Sequence, residues 1–242
     1  MPTEDSKKRA FDFLFSAAMR HSEEVANIQW ENITPFYQGL LKESERAIGI
    51  LAFTYIESQI YEMFGQHLDS DVQGGIGSIL GPQGILDAVG KQIKMLRALR
   101  WITPDTEHNL RLLARIRNRF AHAHSALTFA DEKIRGYYNS LTKYEQRWAE
   151  LGFSKDFPDA NLQTRHTYLI RAVLTLFALY HDLVLMPSSI RAGMGPTGAF
   201  RGEFEKFPPR LQHALGTCVE VVNLIYRDAA SVQPHRDSGQ EP

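Results

Sequence analysis

The sequence predicts an all-α fold, an up-and-down helical bundle with additional C-terminal helices, and three observations predict it. Apolar residues recur every three or four positions, as in Ile48, Ala52, Tyr55, Ile56, Ile60 and Met63, the spacing that lines one face of a helix. Strand signals are nearly absent, with no long alternating run of β-branched residues and no Asn-Gly hairpin. Helix boundaries are also legible: Thr103 can cap, Pro104 suits a first turn, and Asp105 and Glu107 complement the N-terminal dipole.

Taken in order, residues 10–20 (AFDFLFSAAMR) form a short amphipathic helix with an aromatic face, within an N-terminal extension over 1–34. Asn27 to Tyr37, with Asn32 and Pro35, reads as a connection. A bundle is expected over 35–186. Its first helix runs from about Pro35 to Leu68, and residues 69–84 (DSDVQGGIGSILGPQG) form a loop. That loop matches neither the Walker spacing nor a dinucleotide fingerprint, and no strand precedes it, so a helix-to-helix connection is the better account. Ile85 to Ile102 is the next helix, with Ile93, Leu96 and Leu99 inward. The helix that begins at Thr103-Pro104 continues through Ser125. Another runs from about Asp131 past Tyr137, Tyr138, Tyr144 and Trp148, and Gly152 to Asn161 is a loop. Thr164 to Met186 is strongly apolar but interrupted by Arg171, His181 and Asp182, which points to a core helix or a dimer interface and away from a membrane segment. A loop over 187–209 and a helix over Leu211 to Ala230 pack on the bundle as the unit 187–230. The polar tail 231–242 is expected to be disordered.

Composition narrows the classes of function. With 43% hydrophobic and 23% charged residues the chain is an ordinary globular protein. Its net charge of −1 gives no global attraction to nucleic acid, so any such contact needs a local patch. Cys218 is the only cysteine, which excludes a disulfide framework and fits a reducing compartment. It sits in the apolar run CVEVVNLI and is expected to be buried and inert. No secretory pattern and no membrane span is legible, so the expected location is the cytoplasm.

The chain is organised around RLLARIRNRFAHAHS, residues Arg111 to Ser125. On a helix at about 100° per residue, Leu113, Ile116, Phe120 and His124 share the side to be buried. Arg111, Arg115, Asn118 and His122 share another, and the Arg111/Arg115/Arg119 stripe is the best local patch for nucleic acid. Arg117 falls at the edge of the apolar side, where an unpaired cation would be costly. It therefore pairs with a carboxylate, for which Glu45 and Glu57 are the candidates, or borders a cleft that receives an anion. Metal chemistry is not expected: His122 and His124 point about 160° apart on a helix, and no HExxH or CxxC spacing occurs. No GxSxG signature occurs either.

Arg117, Asn118 and His122 remain as the candidate catalytic set. Arginine is the natural donor to phosphate oxygens, and histidine changes protonation near neutral pH. Together they could bind a phosphodiester, take a proton from an attacking 2′-hydroxyl and protonate a leaving oxygen. One helix supplies one histidine, so a two-fold homodimer facing the motif against itself is the mechanistic expectation. On residue types alone the alternative stands beside it: His122 caps a packed helix end and Arg117 pairs with a buried Glu.

Arg-Asn-x3-His late in a helix of an all-α domain resembles the HEPN superfamily, whose hallmark is Arg, then four to six residues, then His. SERAIGILAFTYIESQIYEMF, LGPQGILDAVGKQIKMLRAL followed by WITPD, and LARIRNRFAHAHSALTFAD resemble more narrowly the mannitol operon repressor family of the same fold group. The similarity covers roughly residues 40–185. It implies either a metal-independent endoribonuclease of toxin or antiviral-defence type, acting as a dimer, or a non-catalytic transcriptional regulator or protein-interaction module. In the first case Arg117 would hold the scissile phosphate, His122 would be the acid/base, Asn118 would orient the group, and Arg111, Arg115, Arg119 and His124 would bind RNA. Neither case calls for a metal or cofactor, and the second implies a regulatory protein partner. HEPN toxins regulated by a nucleotidyltransferase carry Tyr two positions after the His, where this chain has His124, so that regulation is not expected here.

Overall fold

In a computed structural model that describes residues 30–69, 71–123, 126–146, 156, 160–185 and 209–231, the chain is an all-α bundle, with no strand among those residues. A 3-10 turn, Trp30–Asn32, leads into α1 (Ile33–Leu40), α2 (Glu45–His67), α3 (Gly77–Leu80) and α4 (Val89–Ala98). Then follow α5 (Pro104–Ala121), α6 (Glu132–Asn139), α7 (Thr164–Leu185) and α8 (Pro209–Ser231). The short helix expected over 10–20, most of the 187–209 loop and all of the 231–242 tail but Ser231, which ends α8, lie outside the described residues.

Three helices, α2, α5 and α7, touch one another pairwise and enclose the core. α4 and α6 pack on α5, and α8 packs on α7 and α1. The packed core reaches back to Trp30 and Ile33, both buried, so its boundary lies before Pro35. The single helix expected over Pro35 to Leu68 is two. Ser44 adopts extended backbone and its hydroxyl accepts the Ala47 N–H at 3.2 Å, a capping bond that starts α2 afresh. α6 is likewise shorter than expected, because Thr142 leaves the helix to bond Asn109 of α5: its N–H donates to Asn109 Oδ1 at 3.1 Å. Buried in an apolar site, the Cys218 thiol has its pKa pushed far up, which suits packing and not nucleophilic work.

The start of α5 is built as its sequence asks. Thr103 Oγ1 accepts the Thr106 N–H at 3.3 Å, and Pro104 fills the first turn. Asp182 of α7 completes this end from below. Its Oδ2 accepts the Thr103 N–H at 2.7 Å and the Thr106 hydroxyl at 2.8 Å, so a buried carboxylate faces the helix N-terminus.

α7 opens with a reciprocal cap that makes stability pH-dependent. His166 Nδ1 accepts the Gln163 N–H at 3.0 Å while Nε2 lies 3.1 Å from Asp228 Oδ2. The first bond needs an unprotonated Nδ1, and burial lowers the His166 pKa although Asp228 opposes it. The folded state thus binds this proton more weakly than the unfolded chain, so stability rises with pH across the window between the two pKa values. It is fully present above the ordinary histidine value of about 6.5 and is lost as pH falls below it. Urea unfolding should show a lower midpoint at pH ~5.5 than at pH ~7.5. Gln in place of His166 keeps an acceptor for the Gln163 N–H and should flatten that part of the slope; an unchanged slope would clear His166.

Candidate functional site

The last turn of α5 carries the candidate residues, and α2 determines how that turn ends. Ala121 is the final helical residue, and His122 is the C-cap, its N–H donating to the Asn118 carbonyl at 3.0 Å. The helix stops short of the expected Ser125 because the next groups are claimed from outside. Arg46 Nη2 donates to the Ala123 carbonyl at 3.0 Å, and Glu45 Oε2 accepts the Phe129 N–H at 2.7 Å. Beneath them the Phe120 ring lies directly on the backbone of Gly49, where a methyl group would sit 2.2 Å from its Cδ2. His124 lies outside the described residues.

Asn118 and His122 are both exposed, one turn apart on the crest of α5. Arg117 leaves the other flank of the helix and reaches α2. Its Nη2 is ion-paired with Glu57, and its Nη1 donates to Asn118 Oδ1 at 2.8 Å. Arg117 Nε is buried with no hydrogen-bond partner. Of the two carboxylates expected as partners, Glu57 takes Arg117 and Glu45 does not, being committed to Phe129. The Arg117 and Glu57 side chains keep 23% and 28% of their surface in water, so a solute can reach the pair. At that exposure the pair contributes about 1 kcal/mol or less to stability.

The arginine stripe looks elsewhere. Arg119 Nε lies 3.8 Å from Asp131, the N-cap of α6, and the Arg115 guanidinium sits 5.7 Å from the centre of the Tyr137 ring of α6. Arg111 pairs with Glu107 at 2.7 Å, one turn back on α5. The structure therefore brings Arg117, Asn118 and His122 to one end of α5. It turns Arg115 and Arg119 toward α6, the side away from Arg117. Glu107 and Asp131 also offset part of the stripe's charge.

Arg46 is the residue that sequence reasoning missed. It holds the strand of backbone just after His122, and so helps fix where the imidazole stands. A signal existed: a cation in the first turn of a helix opposes the dipole, which calls for a partner elsewhere in the fold.

Among the described residues no group of three or more His, Cys, Asp or Glu is placed to hold a metal ion, and no helix is long and apolar enough to cross a membrane. A cleft of about 280 Å³ lies between α1 and α8, lined by Trp30, Thr34, His213 and Thr217 among others, and none of Arg117, Asn118 or His122 borders it. No family model, no curated protein and no solved structure matches this chain.

The chemistry open to the site is anion binding with proton transfer. A guanidinium offers fixed donors to phosphate oxygens, an amide beside it limits how that guanidinium turns, and an exposed imidazole can accept or donate a proton.

Proposed function

We propose that the chain is a HEPN-like, metal-independent endoribonuclease of toxin or antiviral-defence type that acts as a homodimer. The observation that carries this reading is the exposed pair Asn118 and His122, one turn apart beside an Arg117 guanidinium that is hydrogen-bonded to Asn118. In the reaction, Arg117 binds the scissile phosphodiester. His122 takes the proton of the neighbouring 2′-hydroxyl as its oxygen bonds to phosphorus. The bond to the 5′-oxygen breaks, and the leaving oxygen takes a proton from His122 of the second copy. The products are a 2′,3′-cyclic phosphate and a 5′-hydroxyl end.

The test is cleavage of a mixed-sequence RNA by purified protein in EDTA. The wild-type protein should cut, and His122→Ala should lose about 10²- to 10⁴-fold of the rate, the usual worth of a positioned acid/base. Equal background cleavage by the two proteins would end this reading. A sedimentation experiment on the same preparation should give a dimer, since a strict monomer lacks the second imidazole.

A second reading, a non-catalytic regulator or protein-interaction module resembling the mannitol operon repressor family, is favoured by one observation: Arg117 already has a carboxylate, Glu57. Under it, changes at Arg117 weaken partner binding or stability, and RNA is never cut.

A further inference from the structure

The Arg117–Glu57 ion pair raises a question that the catalytic reading leaves open, namely how a guanidinium that already holds a carboxylate can take a phosphate. Both terminal nitrogens are committed, Nη2 to Glu57 and Nη1 to Asn118. Nε is buried without a partner. Both edges of the guanidinium that present two parallel N–H groups, Nε with Nη2 and Nη1 with Nη2, include the nitrogen that holds Glu57, so a phosphodiester bound through two oxygens meets that carboxylate. The geometry of the commitment is that of an arginine–oxyanion complex, with a carboxylate oxygen where a phosphate oxygen would be.

We infer that Glu57 is a built-in competitor that occupies the anion site, and that a phosphodiester binds Arg117 only by displacing it. The inference rests on the reading that Arg117 receives an anion, but not on catalysis. Displacement is feasible because both side chains are partly in water, so the released carboxylate regains solvent at little cost. Asn118 can stay on Nη1 during the exchange, which keeps the guanidinium aimed. The consequence is a site whose affinity for anions is set lower than its residues would otherwise allow, with Glu57 as the determinant.

Glu57→Gln tests this, because the amide keeps an oxygen for Arg117 while removing the competing charge. The probe is a fluorescent, single-stranded RNA with 2′-O-methyl sugars, which cannot be cut by 2′-hydroxyl attack, and the readout is anisotropy. Glu57→Gln should bind it up to about fivefold more tightly than wild type. The gain should vanish when Arg117→Gln is added. Should Glu57→Gln fail to fold, as judged by its thermal transition, Glu57→Asp loosens the pair while keeping the charge and should give a smaller gain in the same direction. Affinity equal to or below wild type in these variants overturns the inference, as does a gain that survives Arg117→Gln or the absence of binding by every protein. The catalytic reading is separated by the same RNA without 2′-O-methyl groups, whose 2′-hydroxyls are free. Tighter binding without cleavage leaves the competitor standing and removes the nuclease. Cleavage by wild type with no gain in Glu57→Gln does the reverse.

Discussion

Arg171→Ala should lower the free energy of unfolding by about 3–5 kcal/mol, the cost of leaving one half of a buried ion pair behind. Arg171 lies in α7 with only 4% of its side chain exposed, and Glu145, its partner, keeps 12%. The guanidinium is used on three sides. Nε donates to Glu145 Oε2 at 3.0 Å, Nη2 to the other carboxylate oxygen, and Nη1 to the Tyr138 carbonyl at 2.8 Å. Its plane also sits over the Tyr138 ring, 4.2 Å from the centre. Alanine strands the Glu145 carboxylate, takes one bond from the Tyr138 carbonyl, which keeps the Leu141 N–H at 3.1 Å, and opens space beside the ring. A loss of that size is a large share of the stability of an ordinary domain. The double variant Arg171→Met, Glu145→Met removes both charges and refills the volume. It should recover most of the loss, because desolvating a buried pair costs about as much as the pair returns. Urea unfolding of the single and double variants decides it: equal losses in both would show that packing, and not the stranded charge, is what Arg171 supplies.

Arg171 and Asp182 also show what a sequence can and cannot convey. Both are visible as polar interruptions of an apolar helix, and their presence correctly argues against a membrane span. Their partners are not visible, because Glu145 and Thr103 are brought to α7 only by the folding of α5 and the segment after α6. The same limit governs the candidate site. Periodicity places Arg117 at the margin of the core and demands a partner for it. Two glutamates on the facing helix qualify, yet they stand about 18 Å apart along α2. Which one is level with Arg117 depends on how far α2 is slid along α5, a property of packing that no local pattern encodes. Ends of helices are hidden for a related reason. The last turn of α5 yields at Ala121 because Arg46 and Glu45 reach across from α2, whereas the start at Thr103-Pro104 is written in adjacent residues and is legible at once.

The slide of α2 along α5 is fixed in part by one glycine, and there the same substitution should have opposite signs at two positions of one helix. At Gly49 an added Cβ would lie 2.2 and 2.4 Å from Phe120 Cδ2 and Cε2. Phe120 cannot give way easily. It is fully buried, and its ring meets Phe129 edge-on at 5.2 Å. Gly49→Ala should therefore cost about 1–3 kcal/mol by overpacking, against which the better helix propensity of alanine returns about 1. At Gly65, near the other end of α2, nothing lies within 4 Å of an added Cβ. Gly65→Ala has only the propensity gain and a less flexible unfolded chain, and should stabilise by about 0.5–1 kcal/mol. Because Phe120 lies between Ile116 and the His122 cap, a shift of α5 that relieves Gly49→Ala also moves Arg117 relative to Glu57. Adding Phe120→Leu to Gly49→Ala should restore much of the stability, since the smaller side chain vacates the space that the methyl group needs. If Gly49→Ala were as stable as wild type by urea unfolding, the close approach of α2 and α5 would not be what seats the end of α5, and the placement of His122 would rest on Arg46 and Glu45.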